Sequence, residues 1–304
     1  MIEIHNLSKQ YKKTNFKSLD HISLTIDTGM YGLLGNNGAG KTTLMNILAT
    51  LLKPSSGTVV INGMELIHAN YDFIKKGIGY MPQENEMYAD MTVAESIEYF
   101  TILNKVDIKK QKETCQNVIE YVNLASERKK KFKNLSGGMK RRLGLALALI
   151  NDPPILIVDE PTTGVDPYER IRMRELLLQL SLTKTVIVST HIIEDISYMC
   201  HKLAILNGGK LLFEGEIQTL LELAKGKIWI YRTSDTKEIA EIKKTYMVLG
   251  ITIDEEGSLI KLYAEKKPDF EAEIIKPTLE DAYIVLGEEK GNGAHKNNYF
   301  VVNK

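Results

Sequence analysis

The chain has 304 residues, with 39 basic and 39 acidic side chains and therefore no formal net charge. This length predicts about two domains, and the balanced charge argues against a dedicated nucleic-acid-binding protein, which normally carries a basic excess. The two cysteines are too few for a disulfide framework, and no apolar run approaches the roughly 20 residues that a membrane span needs. We therefore expect a folded cytoplasmic protein without a secretion signal.

The first predicted elements are strands. Residues 2–4 and 22–26 alternate apolar and polar side chains, which predicts an antiparallel layer with one buried face. Residues 31–35 are almost wholly apolar, which is typical of a parallel strand covered on both faces. Residues 59–62 are predicted to form a further strand.

A glycine-rich loop follows the strand at residues 31–35. Residues 35–42 match GxxxxGK(S/T) and precede a predicted helix at residues 43–50, which is the context that this phosphate-binding motif requires. The backbone N–H groups of such a loop can point at phosphate oxygens, Lys41 can bridge two phosphates, and Thr42 can bind Mg²⁺. The residues expected to contact the nucleotide here are Asn37, Gly38, Ala39, Gly40, Lys41, Thr42 and Thr43.

Helical periodicity with many charges replaces the strand pattern between residues 85 and 135. A helix is predicted from Thr92, which begins a capping box, through Leu103. A second helix is predicted over residues 140–150, and its start offers a hydroxyl and free N–H groups to an anion. The residues of this second candidate anion site are Ser136, Gly137 and Gly138.

Two further buried strands end in polar side chains. Residues 155–158 lead into Asp159 and Glu160. The first carboxylate can hold Mg²⁺ through water, and the second can polarise a water as a general base. Residues 185–188 precede His191, which is placed to contact a terminal phosphate. Since ligands bind at the carboxyl ends of parallel strands, we expect these side chains near the phosphate loop.

The composition shifts after about Gly215. We interpret residues 217–290 as a small accessory α+β domain, which would either extend a dimer contact or sense a ligand, and residues 291–304 as a mobile tail. The elements predicted in this part are a strand at residues 227–233, a helix at residues 236–246 and a hairpin at residues 251–264 that turns at Glu256 and Gly257.

Taken in order, these motifs resemble those of the ATP-binding cassette (ABC) family over about residues 1–216. The resemblance implies a P-loop NTPase α/β fold with a mixed sheet core, an antiparallel β layer and an inserted helical subdomain at about residues 85–150. Its motifs are the Walker A loop at residues 35–42, the Q-loop Gln83, the signature motif at residues 135–139, Walker B with the catalytic glutamate at residues 155–160, the D-loop at residues 164–166 and the switch His191. Tyr11 lies where the family places an aromatic ring that stacks on adenine.

The sequence departs from the family's frequent residues at three positions, Asn36, Met139 and Val165. None of these departures removes a charge or a ligand, so the resemblance implies an active ATPase that uses ATP and Mg²⁺. The catalytic residues that it implies are Glu160, His191 and Gln83. The metal ligands that it implies are Thr42, Gln83 and Asp159.

In the family, two cassettes face each other head to tail, and each ATP lies between Walker A of one and the signature motif of the other. The resemblance therefore implies a homodimer, or a heterodimer with a similar chain. It also implies an integral membrane permease on a separate chain, with this subunit peripheral on the cytoplasmic face of the membrane. In the family, the permease docks on the segment that corresponds to residues 86–100 of this chain.

The signature sequence and the segment at residues 277–283 together resemble the ABC-2, or drug-resistance, exporter branch. The alternative is a soluble ABC ATPase that acts on nucleic acid or ribosomes. Such proteins usually add a second cassette, long coiled coils or zinc-binding cysteines, and the sequence shows none of these. We therefore expect no nucleic-acid partner, and the sequence does not predict the transported substrate.

Overall fold

The computed structural model describes residues 1–11, 16–84 and 86–290. The chain divides into two compact units, Met1–Glu214 and a second unit that begins at Gly215. Within the described ranges, no helix combines the length and the apolar composition that crossing a bilayer would require. The tail predicted at residues 291–304 lies outside the described residues.

Ten strands begin in the described part of the first unit. In chain order they are β1 (Ile2–Gln10), β2 (Lys17–Ile26), β3 (Gly29–Leu34), β4 (Ser56–Ile61), β5 (Met64–Glu65), β6 (Ile78–Met81), β7 (Ile155–Asp159), β8 (Thr185–Thr190), β9 (Lys202–Asn207) and β10 (Lys210–Glu216). The α-helices of this unit are α1 (Lys41–Leu48), α2 (Tyr71–Lys76), α3 (Val93–Leu103), α4 (Ile108–Tyr121), α5 (Gly137–Ala148), α6 (Pro167–Ser181) and α7 (Ile193–Met199).

One sheet of this unit is an antiparallel layer in the order β2-β1-β4-β5. Along β2, Ile22, Leu24 and Ile26 are buried, whereas the residues between them are exposed. This alternation covers one face of the sheet, as expected for an antiparallel layer with its other face in water. The predicted antiparallel layer is confirmed.

The other sheet has six strands in the order β10-β9-β3-β8-β7-β6, and the strands from β9 to β6 run parallel. Every residue of β7 and β8 is buried, as expected for strands covered on both faces. The predicted parallel core is confirmed. β3 begins two residues earlier than predicted, because Gly29 already pairs with Thr185 of β8.

Helix α1 is anchored between the two sheets. Leu44, Met45 and Ile47 of this helix belong to one buried cluster with residues of both sheets, and each such side chain contributes about 1.5–3 kcal/mol when fully buried. The helix begins at Lys41 rather than at the predicted Thr43, because the Leu44 N–H donates to the Gly40 carbonyl at 2.9 Å and closes the first turn there. This packing fixes the phosphate loop that precedes α1.

Helices α3 to α5 form the helical part of this unit. Thr92 caps α3 as predicted, because its Oγ1 accepts from the Glu95 N–H at 3.2 Å and the Glu95 carboxylate accepts from the Thr92 N–H at 2.7 Å. Ser136 caps α5, with its Oγ accepting from the Met139 N–H at 3.2 Å. The predicted inserted helical subdomain is confirmed.

The second unit contains a four-stranded antiparallel sheet in the order β12-β13-β11-β14. Its described elements are α8 (Ile217–Ala224), β11 (Ile228–Thr233), α9 (Thr236–Thr245), β12 (Met247–Asp254), β13 (Gly257–Tyr263), β14 (Glu273–Ile274) and α10 (Leu279–Glu289). Trp229, Ile242, Ile260 and Leu262 form its buried core. The Trp229 indole N–H donates to the Ala264 carbonyl at 3.0 Å.

The hairpin of the second unit differs from the prediction in its start and its turn. β12 begins at Met247, which pairs with Tyr263, rather than at residue 251. Asp254 pairs with Gly257, so the two turn residues are Glu255 and Glu256. The reason is local, because the Asp254 carboxylate accepts from the Glu256 N–H at 2.9 Å and closes the turn one residue early.

Candidate active site

The phosphate loop at residues 35–42 joins the end of β3 to the start of α1. Gly40 has a φ of +104°, and a Cβ at this position would lie 2.4 Å from the Ser18 carbonyl oxygen. Only glycine tolerates both the left-handed conformation and this close approach. Asn37 and Gly38 are exposed at the outer edge of the loop, whereas Ala39 is buried. The loop therefore presents backbone to solvent while its base is fixed in the core.

Among the described residues, no side chain caps the first N–H groups of α1, so these groups can bind an anion. Gly40 provides no side-chain cap, and the first turn contains no acidic residue. The first N–H groups of a helix have no intrahelical acceptors, and together with the helix dipole they favour a bound anion. Thr42 is exposed at this end, whereas the Thr43 hydroxyl lies 2.7 Å from the Ser18 hydroxyl.

The Lys41 side chain is only 5% exposed and is held by oxygen atoms. Its Nζ donates to the Gly35 carbonyl at 2.6 Å and to the Asn36 carbonyl at 3.3 Å, and lies 3.6 Å from Glu160 Oε1. Burial lowers the pKa of the Lys41 ammonium below its ordinary value, and the Glu160 carboxylate opposes that shift. The ammonium thus links the phosphate loop to the end of β7.

Asp159 ends β7 beside Ser189 of β8, its partner in the parallel register. The Ser189 hydroxyl donates to Asp159 Oδ1. The other carboxylate oxygen, Oδ2, is buried and accepts no hydrogen bond from the described residues. A buried carboxylate oxygen without a donor is costly, and a hard cation is the partner that such an oxygen suits. The donor set of Asp159 and the exposed Thr42 hydroxyl therefore fits Mg²⁺.

Glu160 follows β7 in a left-handed backbone conformation, with a φ of +50°. Its N–H lies 3.1 Å from the Ser189 carbonyl and 3.2 Å from the Ser189 hydroxyl. Its carboxylate oxygen Oε2 accepts from the Thr163 hydroxyl at 2.7 Å and lies 2.9 Å from His191 Nδ1. Uncommon backbone conformations of this kind are concentrated at functional sites. The carboxylate is held at a fixed orientation between Lys41 and His191.

The structure therefore brings together four predicted side chains, those of Lys41, Asp159, Glu160 and His191. All four lie at the carboxyl ends of β3, β7 and β8, which are neighbours in the order β3-β8-β7. This edge of a parallel sheet is where α/β folds bind ligands.

Two predicted residues in the described ranges make no direct contact with these four side chains. Gln83 follows β6 and is exposed, and its amide makes no hydrogen bond to another described residue. The Tyr11 side chain is 42% exposed, and the Lys9 ammonium lies 5.6 Å from its ring centroid. Among the residues that the structure describes, no ring contact or hydrogen bond joins the Tyr11 side chain to the phosphate loop. Their roles stay predictions.

The second anion site lies against the start of α6 rather than against the phosphate loop. An added Cβ on Gly137 would be 3.9 Å from the Gly164 carbonyl, and one on Gly138 would be 2.4 Å from Glu169 Cγ. Glu169 also accepts two hydrogen bonds from the buried Arg142 guanidinium, at 2.9 and 3.2 Å. Ser136 and Gly137 are exposed, so they are available to a ligand from outside the chain.

Thr163 and Ser189 orient the two acids and were not predicted as site residues. The strand register contained a signal for Ser189. Pairing the predicted strands in parallel from residues 155 and 185 places Asp159 beside Ser189, as observed. Thr163 had no comparable signal, because its contact depends on the path of the loop after β7.

Comparison with known proteins shows which family the chain resembles. Residues 19–163 match the family described as ABC transporter. The Nod factor export ATP-binding protein I of Rhizobium etli is 35% identical over 223 residues, which cover 73% of this chain and 70% of that protein. The retinal-specific phospholipid-transporting ATPase ABCA4 of Mus musculus is 35% identical over 213 residues, or 70% of this chain. Those residues span only 9% of that much longer relative.

A solved structure shows the same similarity in three dimensions. It is a dimeric, post-hydrolysis state of the ATP-binding cassette MJ0796 bound to ADP and Pi, with 26% identity and a TM-score of 0.65. The match covers 71% of this chain and 98% of that chain. The resemblance seen in the sequence motifs is confirmed, and the chain belongs to the ABC transporter family, whose ATP-binding cassette it carries.

Proposed function

We propose that this chain binds ATP together with Mg²⁺, hydrolyses the ATP, and serves as the ATPase subunit of an exporter. The observation that carries the proposal is the Glu160 carboxylate. It is 5% exposed, it lies 3.6 Å from the Lys41 ammonium, and His191 and Thr163 fix its orientation. A buried, oriented carboxylate beside a phosphate loop is suited to accept a proton from an attacking water.

The uncapped start of α1 and the Lys41 ammonium would bind the ATP phosphates. Thr42, Asp159 and Gln83 would hold Mg²⁺, and the unpartnered Oδ2 of Asp159 supports that role. When bound, the ion would neutralise charge on the phosphates. Tyr11 would stack on adenine.

In the proposed reaction, a water oxygen forms a bond to the γ-phosphorus while the bond to the bridging oxygen of ADP breaks. Glu160 accepts the proton that the water loses. His191 uses Nδ1 to contact Glu160, which leaves Nε2 for a phosphate oxygen. Oriented groups of this kind act mainly by positioning and electrostatic stabilisation.

We further propose that two copies of the chain, or this chain and a similar one, form the complete site. The exposed Ser136 and Gly137, together with Gly138, would contact the ATP bound to the partner's phosphate loop. The described neighbours of Gly137 and Gly138 are Gly164 and Glu169, and the chain's own phosphate loop is not among them, which supports this arrangement. The dimeric state of the related MJ0796 cassette also supports it.

The proposed membrane partner is a permease on a separate chain. A cleft of about 280 Å³ lies between β6, α3 and α5, and Met87, Phe100 and Leu147 are among the residues that line it. The lining combines apolar side chains with polar ones such as Glu86 and Asn104, and a groove of this mixed character suits a short amphipathic helix. The cleft lies beside residues 86–100, so it supports docking at that segment and a peripheral location at the membrane. The name of the Rhizobium etli relative refers to export, which supports that direction of transport.

The proposal is tested by phosphate release from ATP with the purified chain. We expect turnover that requires Mg²⁺ and that Lys41→Ala abolishes. Lys202→Ala, which removes a half-exposed lysine elsewhere in the same unit, is the control and should keep wild-type turnover. Absence of Mg²⁺-dependent turnover in the wild-type chain would contradict the proposed activity.

The permease is tested by purifying the tagged chain from its native membranes. An integral membrane protein should co-purify with the wild-type chain. It should be lost with Phe100→Glu, which places a charge in the cleft, and retained with Phe73→Glu, whose side chain is already 69% exposed. Equal retention by both variants would contradict docking in the cleft.

A further inference from the structure

Asp195 is a buried carboxylate that the proposed reaction does not use. It lies in the first turn of α7, four residues after His191, and its residue exposure is 0%. A buried charge is stable only when it is paired and hydrogen-bonded. The partners of Asp195 therefore show what this position holds together.

Asp195 contacts two other segments of the chain. Its Oδ1 accepts from Arg170 Nε at 2.8 Å and from Arg174 Nε at 2.6 Å, and both arginines lie on α6. Its Oδ2 accepts from the Thr162 hydroxyl, in the loop between β7 and α6. One carboxylate thus fixes the start of α7 to α6 and to the loop that follows the catalytic glutamate.

The contacts of Asp195 connect the two segments that supply the hydrogen-bond partners of the Glu160 carboxylate. Thr162 is followed by Thr163, whose hydroxyl donates to Glu160 Oε2 at 2.7 Å. The same oxygen lies 2.9 Å from Nδ1 of His191, which stands just before α7. The two groups that orient the Glu160 carboxylate therefore come from two segments, and Asp195 joins those two segments.

We propose that Asp195, acting through the Thr162 hydroxyl, is a positioning residue that holds Thr163 and His191 in place around the Glu160 carboxylate. The proposal rests on the proposed role of Glu160 as general base. It assigns a function in hydrolysis to Asp195 and Thr162, whose side-chain hydrogen bonds within the described part of the chain go to each other and to α6 and not to Glu160.

A purely structural role for this network makes a different prediction. If Asp195 only neutralised Arg170 and Arg174, the Thr162 hydroxyl would matter little for turnover. Thr162→Val removes that hydroxyl, keeps nearly the same shape, and leaves both arginine pairs with Asp195. It therefore tests the positioning role separately from the charge pairing.

The experiment measures kcat, the KM for ATP and the melting temperature of the full chain and its variants. We expect Thr162→Val to lower kcat about tenfold, which is less than the roughly 100-fold that a 1 Å misplacement can cause. The KM should stay within twofold, because the phosphate loop is untouched. Thr162→Ser, which restores the hydroxyl, should recover kcat to within twofold of the wild-type value.

Thr50→Val is the matched control. Thr50 is also buried, at 7% exposure, but its hydroxyl has no hydrogen-bond partner in the described part of the chain. This variant should keep the wild-type kcat. A double-mutant cycle between Thr162→Val and Thr163→Val should be non-additive in kcat, since both would act through the same hydrogen bond to Glu160.

Three results would overturn the positioning role: wild-type kcat in Thr162→Val, an equal loss in Thr162→Ser, or additive losses in the cycle. If Thr162→Val and Thr162→Ala both fail to fold while Thr162→Ser folds, the hydroxyl is needed for stability and the proposal is also wrong. Failure of the proposed function is a separate result, because it would appear as absent Mg²⁺-dependent turnover in the wild-type chain.

Discussion

Replacing Glu160 by glutamine is the sharpest test of the proposed chemistry. The amide has nearly the same shape as the carboxylate and can still accept the Thr163 hydroxyl, which lies 2.7 Å away in the wild-type chain. It cannot accept a proton from water at neutral pH. The substitution therefore removes the proposed base and leaves most of the surrounding geometry in place.

General-base catalysis contributes about 10²–10⁴-fold to a rate, which corresponds to roughly 2.7–5.5 kcal/mol of activation free energy. We expect kcat to fall within that range. ATP affinity should behave differently. The Glu160 carboxylate attracts Lys41 across 3.6 Å, a gross Coulomb energy of about 4–5 kcal/mol at an effective dielectric constant near 20. The neutral amide frees Lys41 for the phosphates, so ATP should bind at least as tightly.

The assay combines phosphate release, equilibrium binding of ATP, and size-exclusion chromatography with ATP present. Glu160→Gln should bind ATP and elute as a dimer, since the bound nucleotide is consumed only slowly. Glu222→Gln, which changes a side chain of the second unit that is 64% exposed, is the control and should stay within twofold of wild type. Turnover within threefold of wild type, or a parallel loss of ATP affinity, would refute the role of Glu160 as base.

Ser189→Ala removes the hydroxyl that donates to the buried Asp159 carboxylate. It should lower the free energy of unfolding by about 1–3 kcal/mol and raise the Mg²⁺ concentration needed for half-maximal turnover. Burial raises the pKa of the Cys200 thiol to about 12, so its thiolate fraction at pH 8 is on the order of a thousandfold below that of an ordinary thiol. Alkylation followed by mass spectrometry should leave it unmodified until urea unfolds the chain. Glu160 raises the pKa of Lys41 against the effect of burial. ATP affinity of Glu160→Gln should therefore decline at a lower alkaline pH than that of the wild type, in a titration of binding against pH.

The parts of the fold that the sequence predicted best are those set by local chemistry. The capping box at Thr92 needs only two side chains at fixed spacing, and it forms as predicted. The hairpin of the second unit was misplaced because two signals competed. Gly257 favoured a turn, but the Asp254 carboxylate closes the turn earlier. Gly257 instead begins β13 with a φ of +122°, where a Cβ would lie 2.7 Å from Ser234 Oγ.

The candidate site also contains some residues that the sequence predicted and others that it did not. Lys41, Asp159 and Glu160 were predictable because each belongs to a contiguous motif whose residue types match the chemistry. Ser189 could have been found only by pairing the predicted strands, and Thr163 could not be found, since its contact with Glu160 depends on the path of the loop after β7. Such contacts follow from tertiary packing, which short motifs do not specify.

The position of β8 in the sheet has a consequence for how the site is made. The phosphate loop follows β3 and the two acids lie at the carboxyl end of β7, yet β8 lies between these strands and is the last of the three in the chain. During synthesis, the two halves of the site can meet only after residues 185–190 have emerged and inserted, a non-local step of the kind that folds slowly. Nucleotide would then bind only the completed sheet and would stabilise it by mass action, by about 2.7 kcal/mol at 100 times its Kd. ATP would thus act as a folding ligand before it becomes a substrate.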